Sequence, residues 1–209
     1  MGFYDRYLLP PMLDHAMHLP ALVKYRRPVL QAAQGRVLEI GFGTGANLRH
    51  YPARIRQIET VDPDPALGRI AARRIRAAGW SGPERSVVTH EMSAEHLPFE
   101  TASFDTVVST FTLCSIPDVA SALAEVRRVL RPGGQFLFLE HGLSPDAGVA
   151  RWQRRLNPLQ KAIAGGCHLD RQIVPLVQAA GLSISQCDER YAAKLPRFVG
   201  WLSSGAALA

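Results

Sequence analysis

The chain has 209 residues, 47% hydrophobic and 20% charged, with a net charge of +6 and a pI near 9.6. That balance suits one globular domain, 1–209, with room for a sizeable core. No run approaches the 18 or so apolar residues of a spanning helix, and a start carrying Asp5 and Pro10-Pro11 lacks the basic-then-apolar order of a signal peptide.

Residues 1–34 precede the first strand pattern, and their apolar positions Leu13, Met17, Leu19 and Leu22 predict short helices lying over the core. His15 and His18 share a face of such a helix, but two histidines without a third ligand make a poor metal site. The chain then reaches Val37-Leu38-Glu39-Ile40-Gly41-Phe42-Gly43-Thr44-Gly45-Ala46-Asn47. Four strand-forming positions run into three glycines at alternate places, which predicts a buried strand, a tight turn and a helix over about 46–51. Glycines there admit positive φ and let the backbone approach a ligand that a Cβ would block. Gly41, Gly43 and Ala46 satisfy the G-x-G-x-x-G/A fingerprint of dinucleotide-binding turns. Glu39 argues for a different ligand, since an acid suits a cationic ammonium and opposes a diphosphate.

A second strand, 58–62, ends on Asp62, 17 residues past Gly45 and near the spacing at which a doubly wound fold sets an acid on ribose hydroxyls. Asp62-Pro63-Asp64-Pro65 stops it, and a helix over 66–78 follows. Arg69, Arg73 and Arg76 fall on its face opposite Leu67, Ile70 and Ile75, so a solvated face accounts for them. With the other arginines scattered in small groups, the basic charge does not by itself imply a nucleic-acid partner. Further strands are predicted at 86–90, from 103 onward and at 135–140, with a helix from 118 to 130 stopped by Arg131-Pro132-Gly133-Gly134. Residues 142–168 look irregular. A helix over 171–180, a strand over 182–187 and a last strand near 197–202 close the chain. Alternation of strand and helix predicts an α/β, doubly wound, mostly parallel seven-stranded sheet. Cys114, Cys167 and Cys187 are odd in number and far apart, which argues against disulfides or structural zinc and for a reducing, cytoplasmic setting.

Glu39 followed by Gly41-x-Gly43-x-Gly45 closely resembles motif I of class I S-adenosylmethionine-dependent methyltransferases. Ala94-Glu95-x-Leu97-Pro98-Phe99, Ser103-Phe104-Asp105-x-Val107-Val108 and Leu130-Arg131-Pro132-Gly133-Gly134 look like the group that includes quinone-biosynthesis methyltransferases. The resemblance implies a Rossmann-like fold, with 1–34 as lid helices, 35–141 as the cofactor core and 142–209 as acceptor-side segment and final strands. It implies S-adenosyl-L-methionine as cofactor, held by Glu39, Gly41, Gly43, Gly45, Asn47, Asp62, Pro63, Ser93, Ala94, Glu95 and Thr110. Ser93 stands where that group commonly has an acid near adenine. A lid tyrosine, Tyr4 or Tyr7, is expected over the cofactor.

A narrower resemblance shows in Gly43-Thr44-Gly45-Ala46-Asn47, Leu113-Cys114-Ser115, Leu139-Glu140-His141 and Gly166-Cys167-His168-Leu169-Asp170-Arg171, which are similar to segments of alkyl-thiol S-methyltransferases. Those relatives carry a hydrophobic N-terminal anchor, which is not carried over here. The resemblance implies a small, fairly apolar acceptor, a thiol before a phenolic or quinone-like metabolite. His141 is the candidate base or acceptor-orienting group, with Cys114 and His168 beside the acceptor, and no metal is expected. Ser109-Thr110-Phe111-Thr112 departs from the Asn/Asp-Pro-Pro-aromatic motif of many N-methyltransferases, and the acids of magnesium-dependent O-methyltransferases are missing. A nicotinamide dehydrogenase and a non-catalytic RNA-binding module remain the readings from other classes.

Overall fold

The computed structural model describes residues 2–209. Strands β1 (Val37–Ile40), β2 (Gln57–Val61), β3 (Ser86–His90), β4 (Phe104–Thr110), β5 (Leu130–His141), β6 (Ser183–Tyr191) and β7 (Trp201–Leu208) form one sheet in the order β3-β2-β1-β4-β5-β7-β6. The first five run parallel, and β7 is antiparallel to both β5 and β6. The sheet is therefore mixed, with the expected parallel part confined to the core. All four residues of β1 are buried, as a central strand covered on both faces requires.

Helices α1 (Leu9–Met17) and α2 (Pro20–Gln31) follow a π-helical turn at Tyr4–Leu8. They precede α3 (Pro65–Ala77), α4 (Val119–Val129), α5 (Ala147–Ile163), α6 (Ile173–Ala179) and the short α7 (Arg197–Gly200). Helix α3 starts on an Asp64 cap that accepts from the Ala66 N–H at 2.7 Å, with Pro65 at the first helical position. Arg69, Arg73 and Arg76 are exposed, as the solvated-face reading requires. Helix α4 buries Ala122, Leu123, Val126 and Val129 against the sheet, beside Phe136 and Phe138.

Four local expectations are corrected. The helix over 46–51 is a single 3-10 turn, Leu48–His50, because Tyr51 precedes Pro52 and takes extended backbone. Residues 142–168, with no clear pattern in sequence, hold the 17-residue α5, which tolerates Pro158 inside it and is capped by Asp146, whose side chain accepts from Gly148 and Val149. The last strand lies at Trp201–Leu208, after α7 rather than across it. The Arg131–Gly134 turn also becomes a bulge within β5, where the pairing with β4 skips from Leu130 to Gln135.

Register sets the site. Ile40 pairs with Val61 and with Ser109, so Gly41, Asp62 and Thr110 all emerge at the carboxyl end of the sheet at one level. Between β1 and β4 the chain order reverses, which is where open α/β sheets bind ligands.

Candidate active site

Leaving β1, the loop takes left-handed backbone at Gly41 (φ 68°), Gly43 (φ 56°) and Gly45 (φ 76°). The first two glycines are needed for different reasons. A Cβ on Gly41 would lie 2.1 Å from Thr112, so packing alone requires glycine there. A Cβ on Gly43 would meet nothing closer than the Gly41 carbonyl at 4.0 Å. The Gly43 backbone thus faces open space, as a surface made for close ligand approach should.

Beneath the loop lies a buried polar cluster. Glu39 is 1% exposed and accepts hydrogen bonds from Asn47 Nδ2 at 2.9 Å and the Tyr51 hydroxyl at 2.7 Å. Burial raises its carboxyl to about 7, with those two hydrogen bonds and nearby Arg26 opposing the rise. Arg26 was not singled out from sequence, yet it is 2% exposed and central. One Nη donates to Asn47 Oδ1 at 2.6 Å and to Thr110 Oγ1 at 3.0 Å, the other to the Met17 carbonyl at 3.3 Å. Burial lowers its pKa to about 10, against the attraction of Glu39 and Glu140. A signal was present: Leu22, Arg26 and Leu30 are the buried positions of α2, spaced four apart, so the arginine interrupts an apolar stripe.

Asp62 Oδ2 accepts from the Gly43 N–H at 2.7 Å and Oδ1 from the Asp64 N–H at 2.9 Å. Burial raises its pKa, and these two hydrogen bonds oppose that rise. The carboxylate therefore braces the glycine loop while keeping lone pairs for a diol; the cap of α3 is Asp64. Pro63 beside it is exposed. Past β3, Ser93 donates to Glu95 Oε2 at 2.7 Å, and Glu95 Oε1 accepts from the Asp118 N–H at 2.6 Å at the start of α4. Ala94 is buried in the core. The 93–95 segment is thereby fixed to α4, with the Glu95 carboxylate spent on that anchoring.

The N-terminal helices are tied over this end of the sheet. Asp14 of α1 accepts from Thr44 Oγ1 at 2.5 Å and from both Nη atoms of Arg74, at 2.9 and 3.1 Å. Burial pushes its carboxyl up, but the Arg74 and Thr44 bonds outweigh it and the net shift is downward. The expected lid tyrosines lie at the rim. Tyr4 donates to the Ile163 carbonyl at 2.6 Å, and Tyr7 is 53% exposed with its ring centroid 5.1 Å from that of Phe3. Helices α1 and α2 are thus held through Asp14 and Arg26, and Tyr7 stays at the surface.

The turn after β4 is held by Glu140, which is fully buried and accepts from Ser109 Oγ at 2.7 Å and the Thr112 N–H at 2.9 Å. Phe111 takes φ 55°, a conformation rare for an aromatic residue and one the surrounding bonds impose. His141, next along β5, is 8% exposed; its Nε2 lies 3.0 Å from Cys167 Sγ. Burial works against charging the ring, but Cys167 and Glu140 carry its pKa above the ordinary histidine value. Cys114 and burial together push the Cys167 thiol up. The fold thus brings together Cys114, His141 and Cys167, of which only the first two were expected at the acceptor. His168 is half-buried, 3.8 Å from Asp170, and its backbone N–H donates to the Cys114 carbonyl at 2.8 Å. Cys187 is exposed and apart.

The methyltransferase domain model matches residues 38–138. The chain is 36% identical over 153 residues to thiol S-methyltransferase TMT1B of Rattus norvegicus, covering 73% of this chain and 62% of that protein. It is 35% identical over 179 residues to the same-named protein of Homo sapiens, covering 84% and 70%. The aligned part is thus about three-fifths to seven-tenths of these relatives' own length. A solved S-adenosylmethionine-dependent methyltransferase from Thermotoga maritima superposes with a TM-score of 0.67 at 18% identity, over 98% of this chain and 97% of that one, which speaks for the fold. Among the described residues no helix is long and apolar enough to cross a membrane.

Proposed function

The chain belongs to the S-adenosylmethionine-dependent methyltransferase family, and on that premise we propose that it methylates the sulfur of a small, fairly apolar thiol. S-adenosylmethionine, when bound, supplies an electrophilic methyl group on a positively charged sulfonium. Gly43 provides the open backbone for its close approach. Glu39 puts negative charge under the loop for the α-ammonium, with Asn47 and Thr110 held in place by Arg26. Asp62 is suited to the ribose hydroxyls, and Ser93 and Ala94 to the adenine border.

The observation that carries the choice of acceptor is the state of His141. Its Nε2 is already engaged by Cys167 in a buried setting, so it is badly placed to collect a proton as a free base. A thiol, with an ordinary pKa near 8.5, is partly thiolate at neutral pH and needs no such base. A phenol, with pKa near 10, needs more help. His141 then serves as an acceptor-orienting group. The names of the rat and human relatives point the same way.

The test is S-adenosylhomocysteine release, followed by mass spectrometry, over matched aryl thiol, phenol, amine and quinol acceptors. Turnover selective for the thiol supports the reading. Turnover confined to the phenol or quinol would replace it with O- or C-methylation.

A further inference from the structure

We propose that Cys114, His141 and Cys167 bind one thiophilic divalent cation of the Zn2+ type, whose fourth coordination position receives the acceptor thiol. The cation site stands on geometry alone; the role of its fourth position rests on the S-methylation reading.

The ligand atoms of the three residues all lie within 4.8 Å of one another, and all three residues are buried. A tetrahedral ion with bonds of about 2.0–2.3 Å to nitrogen and sulfur sets its ligands roughly 3.3–3.8 Å apart. The His141–Cys167 separation of 3.0 Å is a hydrogen-bond length that the ion would open slightly. The imidazole atom that would bind the ion is Nε2, which faces Cys167, while Nδ1 lies on the far side of the ring, buried without a hydrogen-bond partner. Cys114, His141 and Cys167 are only 2%, 8% and 8% exposed, so the ligand atoms meet out of bulk water.

The scaffold around the ligands is already assembled. The His168 N–H on the Cys114 carbonyl joins the 113–116 turn to the 166–171 segment. Arg171 reinforces that joint by donating to the Leu113 and Ile116 carbonyls. Glu140 pins the other side of the turn at the Thr112 N–H. So three chain segments, separated by 26 residues or more, present their ligands from fixed backbone rather than from mobile loops.

The donor set decides the metal class. Two thiolates and a neutral imidazole cancel the ion's double charge, and soft sulfur with imidazole selects zinc over magnesium or calcium. Three protein ligands leave one position open, the arrangement of catalytic rather than structural zinc. When an acceptor thiol enters that position, its S–H proton leaves to solvent and a sulfur lone pair makes the fourth bond. No electron is transferred, so no oxidant or reductant is needed. Cys114 and His141 lie at the carboxyl ends of β4 and β5, the acceptor end of the sheet. Spacing along the chain pointed away from a metal because Cys114 and Cys167 lack the short pairing of structural zinc motifs; the long connection through α5 closes the gap.

The experiment is a cobalt titration of the reduced, metal-stripped full chain, read by absorption, with zinc measured on the chain as purified. We expect saturable one-to-one uptake, thiolate-to-cobalt charge transfer in the near ultraviolet and the visible bands of a tetrahedral ion. Cys114→Ser and Cys167→Ser should lose these and Cys187→Ser should keep them. An added aryl thiol should shift the bands. No saturable uptake, or equal uptake by the two serine variants, overturns the site. A Cys114–Cys167 disulfide in the purified chain, with no uptake after reduction, overturns it in favour of a redox pair. Bands indifferent to thiol overturn the role of the fourth position. Calorimetry with S-adenosylhomocysteine on the same samples separates the two ideas: cofactor binding without cobalt removes only the metal site, and cobalt without cofactor binding removes only the methyltransferase reading.

Discussion

Replacing Arg26 with methionine keeps much of the side-chain volume but removes the donors that join α2 to the cofactor end of the sheet. Three acceptors lose a partner: Asn47 Oδ1, Thr110 Oγ1 and the Met17 carbonyl. Arg26, Asn47 and Thr110 are buried, at 2%, 1% and 7% exposed, while the Met17 carbonyl is part-buried. Hydrogen bonds to a charged group contribute about 1.5–3 kcal/mol each, and the desolvation of a buried guanidinium offsets a good part of the sum. Breaking a buried charged group away from its partners typically costs about 3–5 kcal/mol, and the methionine recovers some of that through packing. A net loss of about 3 kcal/mol is expected, which for a domain of this size lowers Tm by roughly 6–12 °C. Cofactor affinity should fall as well, since Asn47 and Thr110 lose the group that orients them. Thermal unfolding by circular dichroism and calorimetry with S-adenosylhomocysteine measure the two effects. A variant with the parental Tm and affinity would refute the placement of Arg26 as the organiser of this cluster.

Further substitutions probe the same site from other sides. Gly43→Ala places a methyl in open space at positive φ, so it should fold with a cost of about 1–2 kcal/mol yet bind cofactor at least roughly tenfold more weakly, about 1.4 kcal/mol. Gly41→Ala drives a Cβ into Thr112 and should lose fold stability first; equal unfolding temperatures for the two variants would contradict this division. Asp14→Ala frees α1 from Thr44 and Arg74, so proteolysis within residues 1–34 should accelerate while the core unfolds near the parental temperature; unchanged cleavage argues against the tie. Glu39 predicts a pH dependence of the cofactor-free chain. Its carboxyl titrates near 4.5 when unfolded and near 7 when folded, so below 4.5 it is protonated in both states and costs nothing. Between 4.5 and 7 the unfolded chain ionises first and stability falls, reaching a full penalty of about 3 kcal/mol above 7. Glu39→Gln should gain on the parent across that window and then level off, as followed by Tm against pH. A difference independent of pH would refute it.

The parts of this molecule that could be read from residues alone are those encoded locally. Strand-glycine-turn grammar at 37–45, an acid at the end of the second strand and the apolar stripe of α4 each lie within a dozen or so residues, and folding placed them as expected. Failures came where a local rule met a stronger neighbour. The helix after the glycine loop was cut short by Pro52, and α5 formed despite Pro158 because Asp146 caps it and its length absorbs one lost hydrogen bond. Non-local partners were the hardest. Arg26 reaches Thr110 across 84 residues, and Cys167 reaches His141 across 26. No spacing rule covers such pairs, although an arginine on the buried stripe of α2 was a usable hint.

If the glycine loop after β1 and the acid after β2 form a site for S-adenosylmethionine, calorimetric titration of the full chain with S-adenosylhomocysteine, with NADH as comparator, reads it out. One-to-one binding of S-adenosylhomocysteine, no heat with NADH, and a loss of about 1–3 kcal/mol in Asp62→Ala are expected. Binding of NADH in place of S-adenosylhomocysteine, or unchanged affinity in Asp62→Ala, would contradict that site.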